Sequence, residues 1–189
     1  MTSLVTEFSK SERAYTGVEL RPHFLLTEMG LRGSAVGAFI GPCRVQTEHL
    51  VDWEDRLAHD RIEAAWMVHF IGEFFGMGLR EGVFAQRLLM SLMGEVLGEQ
   101  LLRGETVRRS GDDLFIADRK LSVSIVTASP VSLLLHAGIN IDPAGAPVPA
   151  VGLAELGVLP ERWVPEVLSR FAKEWEEIHW ACAKVRPVI

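Results

Sequence analysis

From Gly111 to Leu121 the sequence reads GDDLFIADRKL, with Asp112 and Asp113 at one end, Arg119 and Lys120 at the other, and apolar residues between. A lysine is a compact point charge suited to a carboxylate or to negative charge growing in acyl transfer, and a carboxylate can hold magnesium that carries phosphates. The stretch is either a charged surface hairpin or a strand pair that presents Lys120 to a ligand.

Other residues carry chemistry at shorter range. His69 and Glu73 are spaced i, i+4, which on a helix makes them an ion pair or two metal ligands. No third ligand stands at a diagnostic spacing, so no metal site is assigned. Arg21 and His23 in LRPHF share a parity if extended, and are either anion contacts or surface and capping groups. Asp52, Glu54 and Asp55 in VDWED either collect around a pocket or form a solvated acidic turn. Cys43 in GPC acts as a nucleophile only if a cationic neighbour lowers its pKa, and is otherwise an inert packed thiol.

These residues need a scaffold, and 189 residues with 48% hydrophobic content suffice for one domain over 1–189 with a substantial core. The net charge of −6 gives no cationic field for nucleic-acid phosphates, so no nucleic-acid partner is expected. No stretch has the run of about 20 apolar residues that a membrane helix needs. The first residues do not read as a signal peptide, and two cysteines are too few for a disulfide framework, so the expected location is cytoplasmic.

YTGVEL and SAVGAFIGPC are expected as short strands with a turn or hairpin at TEMGLRG. Ile62, Ala65, Trp66, Met67, Phe70 and Phe74 recur at helical spacing, predicting a helix from about Arg61 to Phe75. A second helix is predicted from about Val83 to Leu102, with Phe84, Leu88, Leu92 and Val96 on its apolar side. DLFI, KLSVSIVTA and VSLLLHAGINI then form an antiparallel meander. A short helical turn at GLAELG precedes a final helix from about Pro160, with Trp163, Val167, Phe171, Trp175 and Ile178 on one face. The fold class is α+β: a mainly antiparallel sheet with helices packed on one face, the other face left for a ligand.

Parity refines this picture. Lys120, Ser122 and Ser124 alternate with Leu121, Val123 and Ile125, and His136 and Asn140 alternate with Leu135, Ala137 and Ile139. Keeping both oily faces together requires paired residue numbers with an even sum, as an odd-length connection around Ser129-Pro130 would give, and one such register sets Ser124 opposite His136 and Lys120 opposite Asn140, away from the helices. That face is either wet or a ligand surface.

DLFIADRKL resembles the signature of biotin protein ligases, in which Asn-Asp opens a strand, a short turn follows and Lys-Leu begins the next; here Asp112 stands at the Asn position. AGIN, residues 137–140, is similar to their Gly-(Ile/Ala)-Gly-Ile-Asn motif. VLGEQLLRG and GLAELGVLPERWVPEVLSRFAKEWEE resemble their flanking helices, so colinear similarity runs from about Val83 to Glu177. Through LRPHF, FIGPCRV, LVDWED, MVHFIGEFF, RRSGDDLFIADRKLSVSI, SPVSLLLHAGIN and LAELG, the chain is identified as a member of the domain of unknown function 366 family. That family is assigned to the class II synthetase and biotin/lipoate ligase superfamily.

The resemblance implies a biotin/lipoate ligase catalytic-domain-like fold. It puts Lys120 on the activated carboxylate and phosphate, Asp113 at the phosphate and metal end, and Asn140 on adenine. Arg32, Arg109 and Asp112 join the nucleotide site, while Arg21, His23, Ser122, Ser124 and His136 are the substrate-side candidates. ATP and Mg are the implied cofactors, a small molecule the implied partner, and a homodimer the assembly expected by analogy.

Two departures are visible. The Gly-Arg-rich loop that orders over the adenylate is not found, only the echo GLRGSAVG carrying Arg32, and Val123 stands where the ligases have glycine. The chain is thus expected to be an enzyme that activates or transfers a carboxylate-containing ligand, or a non-catalytic binding or regulatory module that lost the loop. A third alternative resembles the lipoate-pathway acyltransferases, with Cys43 and Lys120 passing an acyl group without ATP.

Overall fold

The computed structural model describes residues 3–101 and 104–188. Its larger sheet has the order β1-β2-β3-β8-β7, built from β1 (Val5–Phe8), β2 (Ala35–Val45), β3 (Ile62–Phe74), β8 (Leu133–Asp142) and β7 (Ser122–Ala128). Only β1 pairs in parallel, with β2; the other pairings are antiparallel. A smaller antiparallel sheet joins β4 (Val107–Ser110), β5 (Asp113–Ile116) and β6 (Arg119–Lys120).

One face of the large sheet is covered by α3 (Leu79–Gln100) and α5 (Pro160–Ala183). Their apolar stripes, including Leu89, Met93, Val96, Trp163, Val167 and Phe171, close on Val68, Phe70, Leu135, Ala137 and Ile139. Each large side chain buried this way contributes about 1.5–3 kcal/mol. The expected faces of both helices differ in part: Phe84 is 62% exposed because the buried stripe of α3 runs through Gly82, Ala85, Gln86 and Leu89 instead, and Ile178 is 46% exposed within an exposed last stretch of α5. Leu102, the expected end of the first of these helices, lies outside the described residues. The short α4 (Leu153–Leu156) forms at GLAELG, as expected.

The other face carries a smaller core built by the short helix α1 (Phe24–Met29) and residues from Tyr15 to Leu50. Here the N-terminal expectations need correcting. YTGVEL is not a strand; it bends, and only Tyr15 makes an isolated bridge, to Cys43. TEMGLRG is not a hairpin but the end of α1, closed by Gly30 at φ 71°. Leu25 and Met29 on that helix fold over Gly37, so that a β-carbon there would push their side-chain ends aside.

The largest correction is β3, which is a strand where helical spacing predicts a helix. It is the middle strand of the sheet and buries side chains of both parities from Met67 to Phe74, so its apolar run is continuous and fits either period. A connection of sixteen residues, 46–61, joins it to β2 and contains α2 (Trp53–Leu57), whose first turn is capped by Asp52 accepting from the backbone N–H of Glu54 and Asp55. Among the described residues, no helix is long and apolar enough to cross a membrane.

Candidate functional site

The β5–β6 hairpin turns at Ala117 and Asp118, with Ala117 at φ 53°. It brings the Lys120 ammonium to 2.9 Å from the Asp113 carboxylate, at the mouth of a cavity of about 390 Å³. That volume lies in the range of about 300–1,000 Å³ usual for small-molecule sites. Burial raises Asp113 above the ordinary aspartate range, against the opposing pull of Lys120.

Lys120 is held by its main chain. Its N–H donates to Pro149 O at 2.9 Å, its carbonyl accepts from Val151 N–H at 3.0 Å, and Asn140 Nδ2 donates to the same carbonyl at 3.3 Å and to Val151 O at 3.1 Å. Both donor hydrogens of the Asn140 amide are thereby spent on backbone. The residue expected to read adenine is here a strut beneath the lysine.

The β7–β8 register differs from the expected one. Ser122 pairs with Ile139 and Ser124 with Ala137, because the turn between the strands holds four residues, 129–132, and an even loop reverses the parity that an odd one would give. Ser122 and Ser124 therefore point toward α3, not away from the helices. Ser122 Oγ accepts the Leu114 N–H at 2.7 Å, and Ser124 Oγ accepts from Gln86 Nε2 of α3 at 2.8 Å and donates to Asp112 O at 3.0 Å. His136 lies opposite Ile125 on the other face. Because β7 is an edge strand, residues of both parities still reach the cavity, which wraps around that edge.

Of the sequence candidates, Lys120, Asp113, Asp112, Ser122, Ser124, His136 and Asn140 line this cavity. Arg21, His23, Arg32 and Arg109 do not line it. LRPHF is not extended: Arg21 pairs with Glu28 at 3.2 Å, and His23 caps α1 in a left-handed conformation, its N–H shared by both oxygens of Glu73 at 3.0 Å. Arg109 turns back to donate to Gly111 O.

His69 and Glu73 do not meet, because four residues span about 13 Å along a strand instead of one helical turn. Each is buried with other partners: Glu73 with His23 and Ser132, His69 with Gly41 O at 3.2 Å and His136 Nε2 at 3.1 Å. Among the described residues, no group of three metal-binding side chains is placed to hold an ion. Cys43 is 1% exposed and does not line the Lys120 cavity. Burial, then the nearby Glu19 and Glu63 charges, pushes its thiol up to about 12, away from nucleophilic use.

The cavity also has residues that local pattern left unassigned. Tyr15 forms part of its wall, stacked on His136 with ring centroids 3.7 Å apart. The 46–61 connection supplies Asp52, Asp55 and Asp60, so two of the three VDWED acids, with Glu54 excluded, do collect at a pocket. Among the described residues, six carboxylates line the cavity against Lys120 and Arg61, so that lining is acidic on balance.

Comparison with known proteins agrees with this architecture. The chain matches the family described as "Domain of unknown function (DUF366)" over residues 4–186. A protein of unknown function from Pyrococcus horikoshi has the same structure at a TM-score of 0.92, with 33% identity over 99% of this chain and 100% of that one. An uncharacterized protein of Methanocaldococcus jannaschii is 30% identical, covering 96% of this chain and 84% of its own length. Biotin protein ligase from Aquifex aeolicus, in complex with biotin and ATP, shares the fold at a TM-score of 0.57, with 16% identity over 94% of this chain and 72% of the ligase. The chain therefore belongs to the DUF366 family and has the biotin/lipoate ligase catalytic-domain fold.

Proposed function

We propose that this DUF366 protein binds a small carboxylate in the Lys120 cavity. The observation that carries the proposal is the convergence there of Lys120 and Asp113, 2.9 Å apart and half-buried on a rigid hairpin, within a volume suited to a small molecule. A ligand carboxylate would take the Lys120 ammonium from Asp113, whose raised pKa makes it the easier of the two acids to leave unpaired or protonated. The ligase fold supports a small-molecule role, since the Aquifex relative is described with biotin and ATP bound.

A nucleotide triphosphate is a poor fit to this lining. Four negative charges would enter a cavity already acidic on balance, and the two arginines expected on phosphates, Arg32 and Arg109, lie away from it. Binding without adenylation is the form the charge supports. ATP-dependent activation of the same carboxylate, with Mg, is the second reading, favoured by the fold alone. The thiol route through Cys43 has the weakest support, given its burial and raised pKa.

Calorimetric titration with biotin, lipoate, octanoate and shorter carboxylates, on wild type and Lys120→Ala, tests the proposal. The expected result is binding of at least one acid, weakened about 10- to 100-fold by loss of the charge-assisted contact. Equal binding to both proteins would refute the role of Lys120. Pyrophosphate exchange with ATP, dependent on an added acid, would establish the second reading instead.

A further inference from the structure

The floor of the cavity holds a hydrogen-bond acceptor whose identity follows from a chain of partners. Gly41 O can only accept, so His69 Nε2, 3.2 Å away, carries a proton. Burial keeps His69 neutral, its pKa lowered to about 3, so its Nδ1 is a bare lone pair. His136 Nε2, 3.1 Å from that lone pair, must then donate. His136 is in turn held neutral by burial, and its remaining nitrogen, Nδ1, is an acceptor with no partner among the described residues. The residue is 2% exposed, lines the cavity, and is fixed in orientation by the Tyr15 ring stacked at 10° to it.

The rim holds uncompensated negative charge. Glu63 is paired with Arg44 and Arg61, Asp113 with Lys120, and Asp112 with Arg87. Asp52 spends an oxygen capping α2. Asp55 and Asp60 have no cationic partner among the described residues, yet both face the cavity. Asp55 is raised above the ordinary aspartate range by burial and by repulsion from Asp52 and Asp60, which together outweigh the opposing pull of Lys120.

We propose that the ligand of this cavity is an amino-bearing carboxylate, an amino acid or a close analogue: its carboxylate meets Lys120, its ammonium donates to His136 Nδ1, and Asp55 and Asp60 balance the ammonium's charge. The assignment rests on the carboxylate role of Lys120 proposed above and adds the opposite end of the molecule. A neutral imidazole in the cavity wall, with an acceptor nitrogen that no described residue satisfies, favours a donor, and two carboxylates outside any ion pair favour that donor being cationic. A plain fatty acid would use Lys120 and leave both features idle.

Calorimetry on the full chain tests this with matched probes: the twenty standard amino acids, 4-aminobutanoate and 5-aminopentanoate; butanoate and pentanoate, which lack the amine; and butylamine and pentylamine, which lack the acid. The variants are Lys120→Ala and the exposed double variant Asp55→Asn/Asp60→Asn. The expected result is an amino acid that binds at least 10-fold tighter than its matched acid, with the advantage erased in the double variant. In ¹⁵N spectra, the unprotonated Nδ1 of His136 should shift on addition of that probe.

If plain acids bind as tightly as amino acids, depend on Lys120 and ignore the double variant, the carboxylate role stands and the amine assignment is overturned. If amines bind fully and ignore Lys120→Ala, the amine site stands and the carboxylate role falls. No binding by any probe overturns both.

Discussion

Glu73 on the central strand accepts a hydrogen bond from Ser132 Oγ at 2.7 Å while both its oxygens face the His23 N–H at 3.0 Å. One buried carboxylate thus ties the start of α1 and the turn before β8 to the middle of the sheet. Glu73→Ala orphans both donors at a cost of about 1–3 kcal/mol each. The midpoint of urea unfolding should fall accordingly, and Glu73→Gln, which keeps one acceptor oxygen, should fall less.

The two buried histidines give the protein an acid-sensitive stability. An unfolded histidine takes up its proton near pH 6.5, whereas folded His69 does so at about 3 and His136 well below the ordinary value. Their contribution is complete above pH 6.5 and is lost as pH falls, at about 1.4 kcal/mol per pH unit for each histidine between those limits. Asp55 and Asp113, raised mainly by burial, act in the opposite sense and lose stability as pH rises through their folded pKa values. They are common to wild type and His69→Gln, so the variant's pH–stability curve should be flatter between pH 6 and 4, by about one proton's slope.

Much of this was legible in the sequence, and what was not has physical causes. The strands from Asp113 onward and the final helix show themselves through local alternation, a turn chemistry and a proline start. Residues 62–74 do not, because a strand buried on both faces has no alternation to display. The β7–β8 register turned on whether a loop has an odd or even number of residues, which Ser129-Pro130 does not reveal. Lys120, Asp113 and His136 were legible as polar groups among strands. Tyr15 was not, since it reaches the cavity through a single bridge to Cys43 across a bend that carries no periodic signal.

Gly41 is required for a close backbone approach. A β-carbon there would run into the Arg13 carbonyl, where residues 13–15 pack against β2, and the Gly41 carbonyl also fixes His69. Gly41→Ala should therefore lower the melting temperature more than a change at an open glycine such as Gly98, which has nothing within reach of an added β-carbon. Comparing the two thermal transitions checks this.

The thiols should differ sharply in reactivity. Cys182 is exposed and Cys43 buried with its thiol raised to about 12. Native protein should react with one equivalent of a thiol reagent at pH 8, the second reacting only after denaturant is added. Rapid modification of both would contradict the burial of Cys43.

The Lys120 main chain, clamped between Pro149, Val151 and Asn140, has a kinetic consequence. Its amide can exchange with deuterium only when the 149–151 strap lifts, so it should persist with the slow amides of β8 rather than vanish with those of the exposed 52–60 rim. The cavity wall at Lys120 should then open more slowly than the wall at 52–60, a difference that the exchange rates of the two segments would read.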